Sequence, residues 1–185
     1  MMKKLLVAAL AAAALAGSGC IFSKNAYVEN SVFDLEPPKP VRKNTRVRLG
    51  VFTNLSGSER RFVVRRGDGQ VLSQEYQRWR LTPDLLLKRC MYDAFLVSGG
   101  DADAIPQITA VIYRFEFDEK GNAARLSVDF TLNYSGVKSK SGDTTVRADV
   151  AVPVKNSGDL GAARAAAMSE CVRLAVEKLA AELHK

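Results

Sequence analysis

The chain has 185 residues, 47% of them hydrophobic, with 27 Lys and Arg against 20 Asp and Glu and a formal net charge of +7. That length and apolar content exclude a wholly disordered chain and suit one folded domain plus a tether. The only histidine is His184, second from the end, which argues against a hydrolase built on a histidine base.

The N-terminus has the shape of a signal peptide. Lys3 and Lys4 precede an unbroken apolar run from Leu5 to Ala16, which is too short to span a membrane that needs about twenty apolar residues. Leu15-Ala16-Gly17-Ser18-Gly19-Cys20 then closes it with small residues and a cysteine. Two processing readings stay open. In one, cleavage precedes a lipidated Cys20, with Gly17 standing where a bacterial lipobox usually has Leu or Val. In the other, cleavage after Ala16 of the A-x-A site Ala14-Leu15-Ala16 releases a soluble chain. Lipidation is the favoured one, because a free cysteine beside a secreted N-terminus is unusual. In either case the mature chain is exported. On the lipidation reading, residues 1–19 are the signal peptide and residues 20–44 a tether containing Pro37-Pro38-Lys39-Pro40. Residues 45–185 form a single domain.

Within the tether, Ser31 to Leu35 alternates as one short strand, with either Val32 and Asp34 or Phe33 and Leu35 inward. Arg46 to Phe52 alternates strictly and predicts a strand with Val47, Leu49 and Val51 on its buried face. Arg61 to Arg66 and Gln70 to Leu72 predict a hairpin around Gly67-Asp68-Gly69. Thr82 and Pro83 are N-cap and first-turn signals for a helix reaching about Val97, whose stripe is Leu87, Cys90, Met91 and Ala94. Three strands with hairpin-length gaps follow, predicting an antiparallel meander over 107–117, 126–134 and 145–152. The first carries Thr109, Val111, Tyr113, Phe115 and Phe117 on one face and Ile108, Ala110 and Ile112 on the other. Asp159 to about Leu183 predicts a long helix with Met168, Cys171, Val172, Ala175, Leu179 and Leu183 inward and Glu170, Arg173 and Glu177 at ion-pair spacing. The fold class expected is α+β in two layers, a mixed, mostly antiparallel sheet with two amphipathic helices packed on one face.

No pattern of catalysis, cofactor binding or metal ligation stands out, since the three cysteines lack metal-ligand spacing and no glycine run cradles a phosphate. Asp101 with Asp103 and Glu116 with Asp118 read as solvated carboxylates. Cys90 and Cys171 could bridge in an exported protein, although two buried thiols on separate helices is the simpler reading. The basic excess is local: residues 42–80 hold ten basic and three acidic residues. Arg46, Arg48, Arg65, Arg66, Arg78 and Trp79 are therefore the candidate interface, facing anionic headgroups or an acidic partner and not nucleic acid. The alternative is an idle basic surface. Trp79, the only tryptophan, either closes the core or anchors an interface.

These residues carry a family resemblance. A lipobox at Cys20, Phe33-Asp34-Leu35, the strand Val47 to Phe52, Val63-Val64-Arg65, Tyr76, Arg78-Trp79 and the Pro83-initiated leucine-rich helix resemble the auxiliary lipoprotein component of ABC-type transport systems, the PqiC-like lipoproteins. Arg80 stands where an alanine commonly follows the tryptophan. The resemblance implies a non-enzymatic lipoprotein beside an ABC permease, its ATPase and an MCE-domain protein, moving lipids or other apolar molecules between membranes. Ile21 after Cys20 points to the outer membrane, where the enteric sorting rule applies. An activator of a peptidoglycan synthase and a periplasmic lipid-binding module are the alternatives, and homo-oligomerisation is left open.

Overall fold

A computed structural model describes residues 28–41, 45–99, 105–134, 141–153 and 159–184. Among these residues, eight strands and two helices run in the order β1 (Ser31–Phe33), β2 (Arg46–Asn54), β3 (Arg61–Arg65), β4 (Val71–Trp79), α1 (Pro83–Ala94), β5 (Leu96–Val97), β6 (Gln107–Asp118), β7 (Ala123–Asn133), β8 (Ser141–Ala151) and α2 (Leu160–Glu182). They form one mixed, open α+β sheet with both helices on one face, as the periodicity predicts.

β6 is the spine. Along one edge it pairs antiparallel with β7, and β7 pairs with β8, which gives the expected meander. The other edge is shared: β2 runs parallel to its first half and β3 parallel to its last two residues. The sheet thus forks at β6, one branch ending at β5 and the other passing through β4 to β1. β1 and β5 join by parallel pairing, β1 with the end of β4 and β5 with the start of β2.

Local signals account for both helices. Pro83 opens α1 after Thr82, whose backbone sits at the cap although its hydroxyl makes no cap hydrogen bond. The helix stops at Ala94, short of Val97, because the next residues are recruited as β5. Asp159 caps α2 fully, its Oδ1 accepting from the amides of Gly161 and Ala162 at 2.9 and 3.2 Å. Its buried stripe includes Met168, Cys171, Val172, Ala175 and Leu179, and Arg173 pairs with both Glu170 and Glu177 on the wet side.

Two bulges alter faces that strict alternation assigns. In β2 the register shifts between Leu49 and Phe52, so Phe52 turns inward and Val51 is left 70% exposed. Gly50 sits in this bulge against β6, where a Cβ would fall 2.8 Å from Thr109 Cγ2. In β6 the shift lies between Ile112 and Arg114. Ile108, Ala110 and Ile112 therefore face the core together with Phe115 and Phe117, although alternation puts those two sets on opposite faces. β4 is also longer than predicted, nine residues against three, and its pairing with β3 is interrupted between Arg61 and Val63.

Residues 28–41 belong to the folded body rather than to a loose tether. Leu35 is buried, Phe33 is half-buried against Phe62 at 5.1 Å, and the amide of Glu36 donates to Ser169 Oγ on α2 at 2.9 Å. Of the two faces read for this strand, the Phe33 and Leu35 face is the inward one, and Val32 is exposed. Cys90 and Cys171 are buried free thiols, one on each helix. Burial pushes both thiols up to about 12, so neither is expected to react with a thiol reagent in the native protein near pH 8. Native and denatured thiol counts should differ by two residues, and prompt native labelling of either would contradict this packing.

Candidate functional site

The eight described basic residues of the 42–80 stretch do not form one patch. Arg48 pairs in register with Gln107 at the start of β6, and Arg65 with Asp118 at its end. Eleven residues of extended strand put those positions about 36 Å apart. Arg46 and Arg48 belong to the first end, where Arg48 Nε donates to the Ile105 carbonyl at 3.2 Å. Arg65 and Arg66 belong to the other, and each already holds an acid. Arg65 makes a two-bond fork with Glu116, both at 2.9 Å, and Arg66 lies 3.7 Å from Glu119. Arg42 and Lys43, like Cys20 and the pair Asp101 and Asp103, lie outside the described residues.

Glu116 and Asp118 correct a second expectation. They are 4% and 8% exposed, not solvated, because strand β3 on one side and Arg125 of β7 on the other close over them. Arg125 Nη2 meets Asp118 Oδ2 at 2.7 Å. Burial of two carboxylates is tolerable here because each has a guanidinium partner.

Trp79 cannot anchor an interface, since it is fully buried. Its ring lies 4.3 Å from Phe62 and 5.2 Å, edge-on, from Phe115, inside an aromatic cluster that also takes in Phe117. The indole N–H finds no hydrogen-bond partner among the described residues. The strand alternation that sends Trp79 inward sends its neighbours out, and this creates a basic concentration among the described residues.

That concentration is an arginine corner at the β3, β4 and β1 edge. Arg61 and Arg78 sit directly opposite each other on β3 and β4, and Arg78 is in turn level with Val32 of β1. Like charges placed opposite across a strand pair oppose folding, so this pair does not add to stability. Arg60 folds back onto the backbone, donating to the Trp79 and Arg80 carbonyls at 3.4 and 2.7 Å. Arg80 lies 3.6 Å from Asp34. Arg60, Arg61 and Arg80 belong to the basic 42–80 stretch but lie outside the candidate set of Arg46, Arg48, Arg65, Arg66 and Arg78, yet they complete this corner.

Asp34 is the hinge pin between the corner and the helices. Arg89 of α1 grips its carboxylate with two bonds, 2.8 and 2.5 Å, and donates a third to the Leu35 carbonyl at 3.3 Å. Burial alone would raise the pKa of Asp34, but the Arg89 hydrogen bonds and charge outweigh it and hold the group below its usual range. A depressed folded value contributes stability above the unfolded value near 3.8, which is lost as pH falls through the folded one. Asp34→Asn should therefore flatten the acid limb of a melting temperature against pH profile below about pH 4. An unchanged limb would show that the grip is absent in solution.

Among the described residues, no group of three or more His, Cys, Asp and Glu is placed to hold a metal. His184 meets the Thr45 hydroxyl at 3.3 Å. No protein-family model matches the chain, and no curated protein does. Solved structures do. An uncharacterized protein matches with a TM-score of 0.66 at 13% identity, covering 84% of this chain and 99% of its own. Protein XCC0632 from Xanthomonas campestris, of the family DUF330, matches with a TM-score of 0.55 at 18% identity, covering 81% of this chain and 92% of its own. At these identities the likeness is one of fold.

Proposed function

We propose that this chain is a non-enzymatic, lipid-anchored accessory component of an MCE-type ABC transport system that moves lipids or other apolar molecules across the bacterial envelope. It is anchored through Cys20, faces the periplasm from the outer membrane, and docks the MCE-domain protein and its permease complex. The observation that carries the reading is the position of β1. Only ten residues lie between Cys20 and Ser31, so a lipid on Cys20 holds the domain within about 40 Å of the bilayer. β1 is fixed to both helices through Asp34 and Glu36, and its flank carries the arginine corner. Tether and basic surface therefore approach the membrane together, and the basic residues add to the hold of a diacylglycerol anchor. The residues that resemble the PqiC-like lipoproteins include Phe33-Asp34-Leu35 and Arg78-Trp79, which build this same corner.

Palmitate labelling of wild type and Cys20→Ala tests the anchor, with label expected only in wild type. Affinity capture from crosslinked envelopes tests the partner, with an MCE-domain protein expected. Recovery of a peptidoglycan synthase in its place would overturn the transport reading. Arg61→Glu separates the surface from the fold. It relieves the Arg61 and Arg78 repulsion, so the melting temperature should rise slightly while binding to vesicles containing anionic lipid falls about tenfold. Equal binding by both proteins would remove the corner from the mechanism.

A further inference from the structure

The sheet face opposite the helices carries a polar cleft of about 520 Å³ over β6, β7 and β8, whose lining includes Tyr113, Arg114, Ser127, Asp129, Arg147 and Asp149. Its floor is a row of directly opposed residues, Arg114 on β6 with Ser127 on β7, and Ser127 with Arg147 on β8. Strands about 4.8 Å apart place the two arginine Cα atoms roughly 10 Å apart with only a serine between them.

The β6 bulge is what makes this row. Before it Ile112 pairs with Val128, and after it Arg114 pairs with Ser127. An unbroken register would set Arg114 opposite Leu126, facing the core, so the extra residue turns its guanidinium to the open face. Among the described residues neither Arg114 nor Arg147 has a carboxylate at ion-pair distance or a hydrogen-bond partner, whereas Arg65, Arg66 and Arg125 each hold an acid. Arg125 also lines the cleft, and its buried Nε lacks a hydrogen-bond partner although Asp149 Oδ1 lies 3.7 Å away.

We infer that this cleft binds a phosphoryl oxyanion, held between the guanidinium groups of Arg114 and Arg147 above the Ser127 hydroxyl. Two planar forks on either side of a small hydroxyl match the oxygens of a phosphate, and their charge is not already spent on a neighbour. Asp129, one pair further along β7 on the side away from Arg125, repels a second negative charge and suits an ammonium. A phosphodiester bearing an amine therefore fits better than free phosphate. The inference does not depend on the transport role.

Calorimetric titration of the full chain in an uncharged detergent, at constant ionic strength, tests it with two probes, inorganic phosphate and glycerophosphoethanolamine. Saturable binding with a Kd of about 1 mM is expected, tighter for glycerophosphoethanolamine. A preference for that ester points to a lipid headgroup as the source, and a preference for inorganic phosphate points to the free ion; both support the site. Arg114→Gln or Arg147→Gln should each weaken binding about tenfold, and substitution of the exposed Lys39, Lys39→Gln, should leave it unchanged. Ser127→Asp guards against a variant that merely fails to fold: a carboxylate between the two guanidinium groups should raise the melting temperature and abolish binding. Absence of saturable heat with either probe would overturn the site, as would binding that survives Ser127→Asp.

Discussion

Trp79→Ala is expected to cost about 3–5 kcal/mol and to leave the domain close to unfolding, since single domains carry about 5–15 kcal/mol in total. The indole is fully buried and touches Phe62, Phe115 and Phe117, rings contributed by β3 and β6. Phe62 extends the contact to Phe33 of β1, so the cavity would open along the branch that runs from β6 through β3 and β4 to the N-terminal strand. Trp79→Phe isolates ring packing from the indole N–H. It loses volume but removes a buried donor that has no partner, so its cost should stay near 1–2 kcal/mol. Urea unfolding of both variants checks this. A loss below about 1 kcal/mol for Trp79→Ala would mean that the tryptophan is not in the core.

Much of this fold was legible in the sequence because its cause is local. The helix start near Asp159, the Pro83 start, the Glu170, Arg173 and Glu177 ladder and the alternation of Leu126, Val128, Phe130 and Leu132 all act within a few residues, and all stand where they were expected. The misreadings share a different physical origin. A bulge leaves no mark in alternation, since the residues on both sides of it still alternate, and so Val51, Phe115 and Phe117 were assigned to the wrong faces. Parallel pairing of β1 and β5 is non-local, which is why residues 28–41 read as tether and Leu96 and Val97 read as helix. The candidate site was legible only in part. A run of arginines is visible as charge, but the forked sheet sends Arg48 and Arg65 to opposite ends of β6 and gathers Arg60, Arg61, Arg78 and Arg80 at its edge. Nothing in spacing linked Arg114 with Arg147, which meet across three strands because of one inserted residue.

Glu116→Ala should cost about 2–3 kcal/mol, the second largest single effect expected. The carboxylate is 5% exposed at its side chain and satisfies both arms of the Arg65 fork, so truncation strands a partly buried guanidinium between β3 and β6. Arg65 is itself 35% exposed, and water reaching it keeps the loss below that of a wholly buried pair. Removing the acid alone is worse than removing both partners, because the cost lies in the unpaired charge and not in the bond. Arg65→Ala should cost less than Glu116→Ala only if the remaining carboxylate can be served by Arg125, which sits opposite it on β7 but is committed to Asp118. Both singles should therefore be destabilised, and the Arg65→Ala, Glu116→Ala double variant should be more stable than their sum by about 1–2 kcal/mol. Additive losses in that cycle, measured by urea unfolding, would show that the fork contributes nothing. In that case the burial of Glu116 would have to be sustained by its strand neighbours alone.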